Sequence, residues 1–493
     1  MTAQTRSPQP LIVPTPDLVV AQSRPVPADF VLGVATAAYQ IEGARHEDGR
    51  TDSIWDTFSH TPGAVVDGDT GDVACEHYHR YAADVALMKS LGMQSYRFST
   101  SWDRVCPDGG PVNAKGLDFY ERLVDSLLEA GVAPWLTLYH WDLPQALEDR
   151  GGWTSRETVD RFVDYSLAVH DRLGDRVRTW TTLNEPFCAA FLGYTGGMHA
   201  PGRTSPEDGL AAAHHLMLAH GRVVQELRAR DASLELGLTL NFTVADPLDP
   251  SDPRDVDAAR RVDAQMNRIF LDPIFRGAYP ADIVRDIREV DAAAVTDWQA
   301  AVQPGDLEII SAPLDALGIN YYHGELLSGH SQGAEGNPHE TEGQQRETRS
   351  PFPSNTDIHW VERGLPRTGM DWEVQPEGLT RLLGRVAEEY APGIALYVTE
   401  NGVAYDDVVA ENGEVPDADR ASFLRDHVAA TLDAVEQGVD VRGYFYWSLL
   451  DNYEWAWGYD KRFGIVRVDY ETQERTIKQS GREYAQIIAA RAI

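Results

Sequence analysis

Val177-Arg178-Thr179-Trp180-Thr181-Thr182-Leu183 runs straight into Asn184-Glu185-Pro186, and the reading of this stretch decides the fold. A short segment rich in Val, Thr and Trp is a strand, and Pro186 ends it. Its last turn of chain carries an amide and a carboxylate side by side. The same order recurs at Ile394–Thr399, which delivers Glu400 and Asn401. Working outwards, strand-like runs stand at Phe30–Ala35, Ser95–Ser99, Ala133–Tyr139, Leu234–Asn241, Leu314–Tyr321 and Val441–Trp447. Most are near-continuous apolar runs, as expected of parallel strands covered on both faces. Between them lie segments such as Gly116–Glu129 and Arg156–Arg172, with apolar residues at helical spacing and many charges. Eight strands alternating with helices predict an α/β fold, a single (β/α)8 TIM barrel with long loops on its catalytic face.

A barrel of this kind gathers its chemistry at the C-terminal ends of the strands. Those ends carry Gln40, Arg97, His140, Asn184 with Glu185, Asn241, Asn320 with Tyr322, Glu400 with Asn401, and Trp447. Amides, a histidine, an arginine and aromatic rings suit a sugar. Hydroxyls want paired donors and acceptors, and the apolar face of a pyranose stacks on a ring. The two glutamates follow the fourth and seventh strands, on opposite sides of the barrel mouth. Two such carboxyls are the equipment of glycoside hydrolysis, one to protonate the leaving oxygen and one to attack or support the anomeric carbon.

Composition narrows the partners. Lys and Arg number 43 against 77 Asp and Glu, a net charge of −34, so nucleic acid and anionic membranes are repelled. No run approaches the roughly 20 apolar residues of a membrane helix. Residues 1–28 read as a flexible N-terminal arm, because Pro14, Pro16 and Asp17 break the apolar Leu11-Ile12-Val13 before it resembles a signal peptide. Residues 29–493 read as one catalytic domain. Cys75, Cys106 and Cys188 are odd in number and lack CxxC spacing, which fits a reduced, cytoplasmic setting. The stretch from Gly324 to Arg367, rich in Gly, Ser, Asn, Pro, His and Glu, reads as a long loop on the catalytic face, either a lid or a loose insertion. His77 and His79, and the trio His214, His215 and His220, read as helix packing rather than ligands; Cys188 reads as packing beneath the site. No metal and no cofactor is expected.

Seven motifs in order resemble one family. They are Phe30–Gly43 (FVLGVATAAYQIEG), Tyr96–Ser99 (YRFS), Tyr139–Gln145 (YHWDLPQ), Thr182–Pro186 (TLNEP), Tyr397–Gly402 (YVTENG), Trp447–Trp455 (WSLLDNYEW) and Gly458–Gly464. Together they resemble glycoside hydrolase family 1, from about Phe30 to the final helix. The resemblance implies a retaining β-glucosidase with Glu400 as nucleophile and Glu185 as acid/base, their carboxyls about 5–5.5 Å apart. It implies that Arg97 and Tyr322 support Glu400. It implies sugar contacts from Gln40, His140, Asn184, Asn320, Tyr322, Glu454 and Trp455, a stacking floor at Trp447 and an aglycone wall at Trp372. A glutamate at 454 argues against 6-phosphorylated sugars, and a glutamate at 185 against thioglucosidases. The partner implied is a small-molecule β-glucoside or oligosaccharide. Two further readings stay open: a transglycosylating enzyme with broad β-galactosidase and β-fucosidase activity, and a catalytically silent sugar-binding relative.

Overall fold

Eight parallel strands close on themselves: β1 (Val31–Ala35), β2 (Ser95–Ser99), β3 (Ala133–Tyr139), β4 (Thr179–Asn184), β5 (Glu235–Phe242), β6 (Ala316–Tyr321), β7 (Ala395–Asn401) and β8 (Val441–Trp447). Each pairs with its neighbours in sequence, and β8 returns to β1. This is the expected (β/α)8 barrel, with each strand within two residues of its sequence position. The computed structural model describes residues 23–330, 343–354, 357–391 and 393–493. β6 and β7 are buried along their whole length, which explains the apolar runs Ala316–Ile319 and Ala395–Val398 that precede their polar ends.

Local signals set the surrounding helices. Ala114–Ala130 stops at Gly131, whose φ of 79° lies in the left-handed region that glycine enters freely. Pro206–Arg230 opens on Ser205, whose hydroxyl accepts from the Asp208 N–H, with Glu207 and Asp208 in the first turn. The final helix, Gln479–Ala490, locks onto the barrel where the Tyr484 hydroxyl donates to the carbonyl of Gly33.

Inside the barrel, Trp135, Ala316, Ala395, Tyr397 and Phe445 form an apolar plug separate from the main core. Trp135 meets Tyr397 and Phe445 edge-on, with centroids 4.8 and 5.1 Å away. Gly33 makes room for this plug, since a Cβ there would fall 2.6 Å from the Phe445 ring. Ala316 and Ala395 begin their strands, so the plug fills the end of the barrel opposite the strand C-termini. Polar side chains are left to the other end.

Two strands break step at that end. Pairing of β4 with β5 shifts between Thr181 and Asn184, and pairing of β7 with β6 shifts between Val398 and Glu400. Bulges re-aim side chains. Thr399 bonds inward to Asn320, and Glu400, the next residue, also faces inward; strict alternation allows only one of them.

The stretch expected as one long loop is partly a sheet. Glu325–Ser328 pairs with Ala245–Pro247 on one side and His359–Val361 on the other. Arg363 ties it down, donating to the carbonyls of Gly324 and Glu325 and to Asp246. The middle of the stretch, 331–342, lies outside the described residues. So does 1–22 of the expected N-terminal arm. Its remaining part is held in place, because the Arg24 N–H donates to Ile493 and the Val26 N–H to Arg491.

Behind the β8 loop sits a buried set of charges. Lys478 Nζ lies 2.5 Å from Asp407 and 2.7 Å from Asp451, all three at most 1% exposed. Arg462 bonds the other oxygen of Asp451, and Arg420 bonds Asp407 and Asp417. Asp451 also accepts from the Gly464 N–H, so it pins both ends of the turn that carries Glu454 and Trp455. Three cations face three carboxylates, so the set is balanced. Lys478→Met leaves two buried carboxylates short of a partner. It should lower the unfolding free energy by about 3–5 kcal/mol, read as a fall in the urea midpoint.

Candidate active site

Arg97 rises from the middle of β2 and is 1% exposed. One guanidinium nitrogen donates to Glu400 Oε1 at 2.6 Å and another to Asn184 Oδ1 at 2.6 Å. The Tyr322 hydroxyl, just past β6, donates to Glu400 Oε2 at 2.8 Å. Both oxygens of Glu400 therefore receive donors, one of them cationic. Glu185 is bonded differently. Asn320 Nδ2 donates to its Oε1 at 2.6 Å and the Cys188 thiol to its Oε2 at 3.2 Å. Among the described residues no Lys or Arg pairs with it.

This asymmetry sets the charges. Burial, followed by the nearby Glu400 carboxylate, pushes the Glu185 carboxyl up to about 8. Burial also pushes Glu400 up, but the Arg97 guanidinium and the Tyr322 hydroxyl pull it back. The proton shared by the pair rests on Glu185. Asn320 Nδ2 also donates to Asn184 Oδ1 at 3.1 Å, the oxygen that Arg97 bonds, so one amide links the surroundings of the two glutamates.

A chain of bonds fixes the neighbours. Arg97 faces Asn184 Oδ1, so Asn184 Nδ2 is the donor to His140 Nε2 at 3.1 Å. His140 Nε2 must then accept, and the ring proton sits on Nδ1. Burial, helped by Arg97, holds His140 well below its usual range, so the ring is neutral. Its flanks are Trp447 and Trp455, each 5.8 Å away and within 20° of parallel. His140 Nδ1 and Gln40 Oε1 are buried without a partner among the described residues, a donor and an acceptor left for a ligand.

Gln40 also reaches the turn after β8. Its Nε2 donates to Asn452 Oδ1 at 3.1 Å and the Tyr453 carbonyl at 2.8 Å, with Glu454 Oε2 at 3.4 Å. Glu454 is partly open to the cavity, and burial together with Glu400 and Glu185 pushes it up to about 8. Trp372 forms an outer wall, stacked on His323 at 4.9 Å and 5.5 Å from Tyr322. Trp141, Glu185 and Trp455 hold φ of 76°, 48° and 52°, strained for residues with side chains, and all three line this cavity.

Sequence reading and geometry differ at three positions of the site. Asn320, expected to bind sugar, has its amide fully taken up: Nδ2 serves Glu185 and Asn184, and Oδ1 accepts from Thr399. Asn401 turns away, bonding the Tyr321 carbonyl and the Tyr444 hydroxyl. Cys188, expected only to pack, donates to Glu185. Its spacing from Glu185, i to i+3 after Pro186, was the signal that the two share a face. His77 bonds Asp84, His214 bonds Asp306, His215 bonds the Trp153 carbonyl and His220 bonds Thr182, all packed as expected; His79, expected to pack as well, is instead exposed and bonds Glu47.

The model of glycosyl hydrolase family 1 matches residues 22–493. A crystal structure of a psychrophilic β-glucosidase from Micrococcus antarcticus is 53% identical with a TM-score of 0.90, covering 95% of this chain and 98% of that one. A bifunctional β-D-glucosidase/β-D-fucosidase from Bifidobacterium breve is 47% identical over 94% of this chain and 98% of its own. A 1,4-β-D-glucan glucohydrolase from Thermotoga neapolitana is 44% identical over 94% and 98%.

Infrared titration reads the charge assignment directly. Part of the carboxylic-acid absorption present at pH 7 should be lost around pH 8, and Glu185→Gln should make that loss smaller. The Glu454 share should then ionise at lower pH, because a neutral amide no longer repels its charge.

Proposed function

The chain belongs to glycosyl hydrolase family 1 and is a retaining β-glucosidase, and we propose that Glu400 is its nucleophile and Glu185 its acid/base. One observation carries the assignment: Glu400 alone of the pair is bonded to a cation, and Glu185 alone is placed to hold a proton at neutral pH. A nucleophile must be ionised and an acid must not be.

The steps follow from those states. Glu400 attacks the anomeric carbon as the bond to the leaving oxygen breaks, and Glu185 passes its proton to that oxygen. The ester so formed removes the negative charge of Glu400, and Glu185 then ionises more readily. As a base it takes a proton from water, whose oxygen attacks the anomeric carbon and releases Glu400. Two displacements on one carbon return the β configuration.

The supporting roles are proposals of the same kind. Asn184 keeps one amide hydrogen for the 2-hydroxyl, its other being given to His140. His140 Nδ1 and Gln40 Oε1 take further hydroxyls, and Glu454 reads the far edge of the ring. Trp447 forms the stacking floor, with Trp455 beside it. Trp372 lies where a leaving group passes out. Asn320 we assign to Glu185 rather than to the sugar.

The substrates are small β-glucosides. Cello-oligosaccharides, and hence a part in cellulose breakdown, are supported by the likeness to the glucan glucohydrolase. The likeness to the bifunctional relative favours β-fucosides as well. Among the described residues no helix is long and apolar enough to cross a membrane. The three free, buried cysteines support a cytoplasmic placement.

Glu400→Gln should lower turnover of an aryl β-glucoside by roughly four orders of magnitude or more. Glu185→Ala with added azide should give a β-glycosyl azide, identified by NMR of the product. An α-glycosyl azide would mean inversion and overturn the scheme.

A further inference from the structure

The scheme above leaves the Cys188 thiol unused. Glu185 stands at φ 48°, and its carbonyl accepts from the N–H groups of Cys188 at 3.0 Å and Ala189 at 3.3 Å. The π-helical segment Cys188–Gly196 therefore begins on Glu185 itself. That backbone geometry folds Cys188 back over the carboxyl, and Sγ arrives 3.2 Å from Oε2. The contact is set by main-chain bonds, not by a long side chain finding a partner. Burial and the neighbouring Glu185 push the thiol well above its usual range, so it stays an S–H donor.

Glu185 is thus held from two sides, by Asn320 on Oε1 and Cys188 on Oε2. The Asn320 side chain cannot swing away, because Thr399 donates to its Oδ1 and Asn184 accepts from the same Nδ2. We propose that Cys188 is a positioning residue for the reaction, its thiol holding the plane of the Glu185 carboxyl and favouring the ionised form that the second displacement needs. The proposal rests on Glu185 being the acid/base. A thiol is a weak donor. It favours the carboxylate without stripping the proton that the first displacement needs, whereas a guanidinium in its place would ionise Glu185 outright.

The charges that face Glu185 are few. Glu400 from β7 and Glu454 from the turn after β8 oppose its ionisation. Arg97 from β2 favours it from a distance, and Tyr322 beside β6 is neutral with its hydroxyl committed to Glu400. Cys188 is the contact on Oε2 that a substitution can change without touching those groups.

The test is the pH profile of kcat/KM for an aryl β-glucoside, whose alkaline limb reports loss of the Glu185 proton in the free enzyme. Removing a donor to the ionised form raises the pKa. Cys188→Ala should therefore move the alkaline limb up by about half a pH unit. Cys188→Ser, with a stronger donor, should return the limb to the wild-type position or below it. Limbs that coincide in all three proteins would overturn the proposal. Should Cys188→Ala fail to fold, the wild-type S–H stretching band decides. It should fall in frequency as pH rises through the alkaline limb and stay put in Glu185→Gln; a band that does not move in the wild type overturns the proposal. Azide rescue of Glu185→Ala is read alongside. Rescue with an unmoved Cys188→Ala limb removes the role of Cys188 and keeps the acid/base, whereas no rescue removes the acid/base itself.

Discussion

Three carboxyls, Glu185, Glu400 and Glu454, act on one another beside a single guanidinium among the described residues, that of Arg97. Ionising all three at once is too costly in a buried site, because like charges this close repel strongly. Arg97 settles which of them is ionised. By bonding Glu400 at one nitrogen and Asn184 at another, it selects the proposed nucleophile and orients the amide beside the proposed acid/base. The orientation of Asn184 then dictates the tautomer of His140, so one side chain sets the charge of the cavity and the direction of its donors. The rest of the barrel mouth is built to keep Arg97 dry and immobile. Arg97 is 1% exposed, and its neighbour across the strands, Trp135, belongs to the apolar plug.

Positioning the two glutamates takes more than a regular barrel. Alternating strands place every second residue inward, and the register shifts in β4 and β7 reset that alternation just before Glu185 and Glu400. The shift in β7 lets Thr399 and Glu400 both face inward, the first fixing Asn320 and the second meeting Arg97. Strain at Glu185 has a similar use. Its left-handed backbone starts the helix that brings Cys188 to its carboxyl, so the irregular backbone and the second donor to Glu185 have one origin.

Much of this was legible before any coordinates. Short strand-like runs, most of them near-continuous and apolar, located all eight strands, because burial on both faces leaves that pattern. The polar residues at the strand ends pointed to the candidate site, because a barrel gathers its chemistry at the C-terminal ends of its strands. The roles of individual donors were not legible. Whether Asn320 turns to a ligand or to Glu185 depends on Thr399, and that contact exists only because of a bulge that the pattern of apolar residues does not record. Asn401 looks like a site residue by position, yet the same bulge sends it to Tyr321 and Tyr444. The stretch after β6 reads as loop because its polar composition hides strands of three and four residues, which pair through the backbone and need little apolar surface.

The account depends on a covalent bond from the anomeric carbon to Glu400. A 2-deoxy-2-fluoro-β-glucoside with a good leaving group slows both displacements, since fluorine destabilises the oxocarbenium-like transition states, and the second is slowed enough for the intermediate to accumulate. Peptide mapping by mass spectrometry of the protein so treated should find the fluoroglucosyl group on the peptide containing Tyr397–Gly402, at Glu400. A stoichiometric label on any other residue, or turnover with no label at all, would contradict the account.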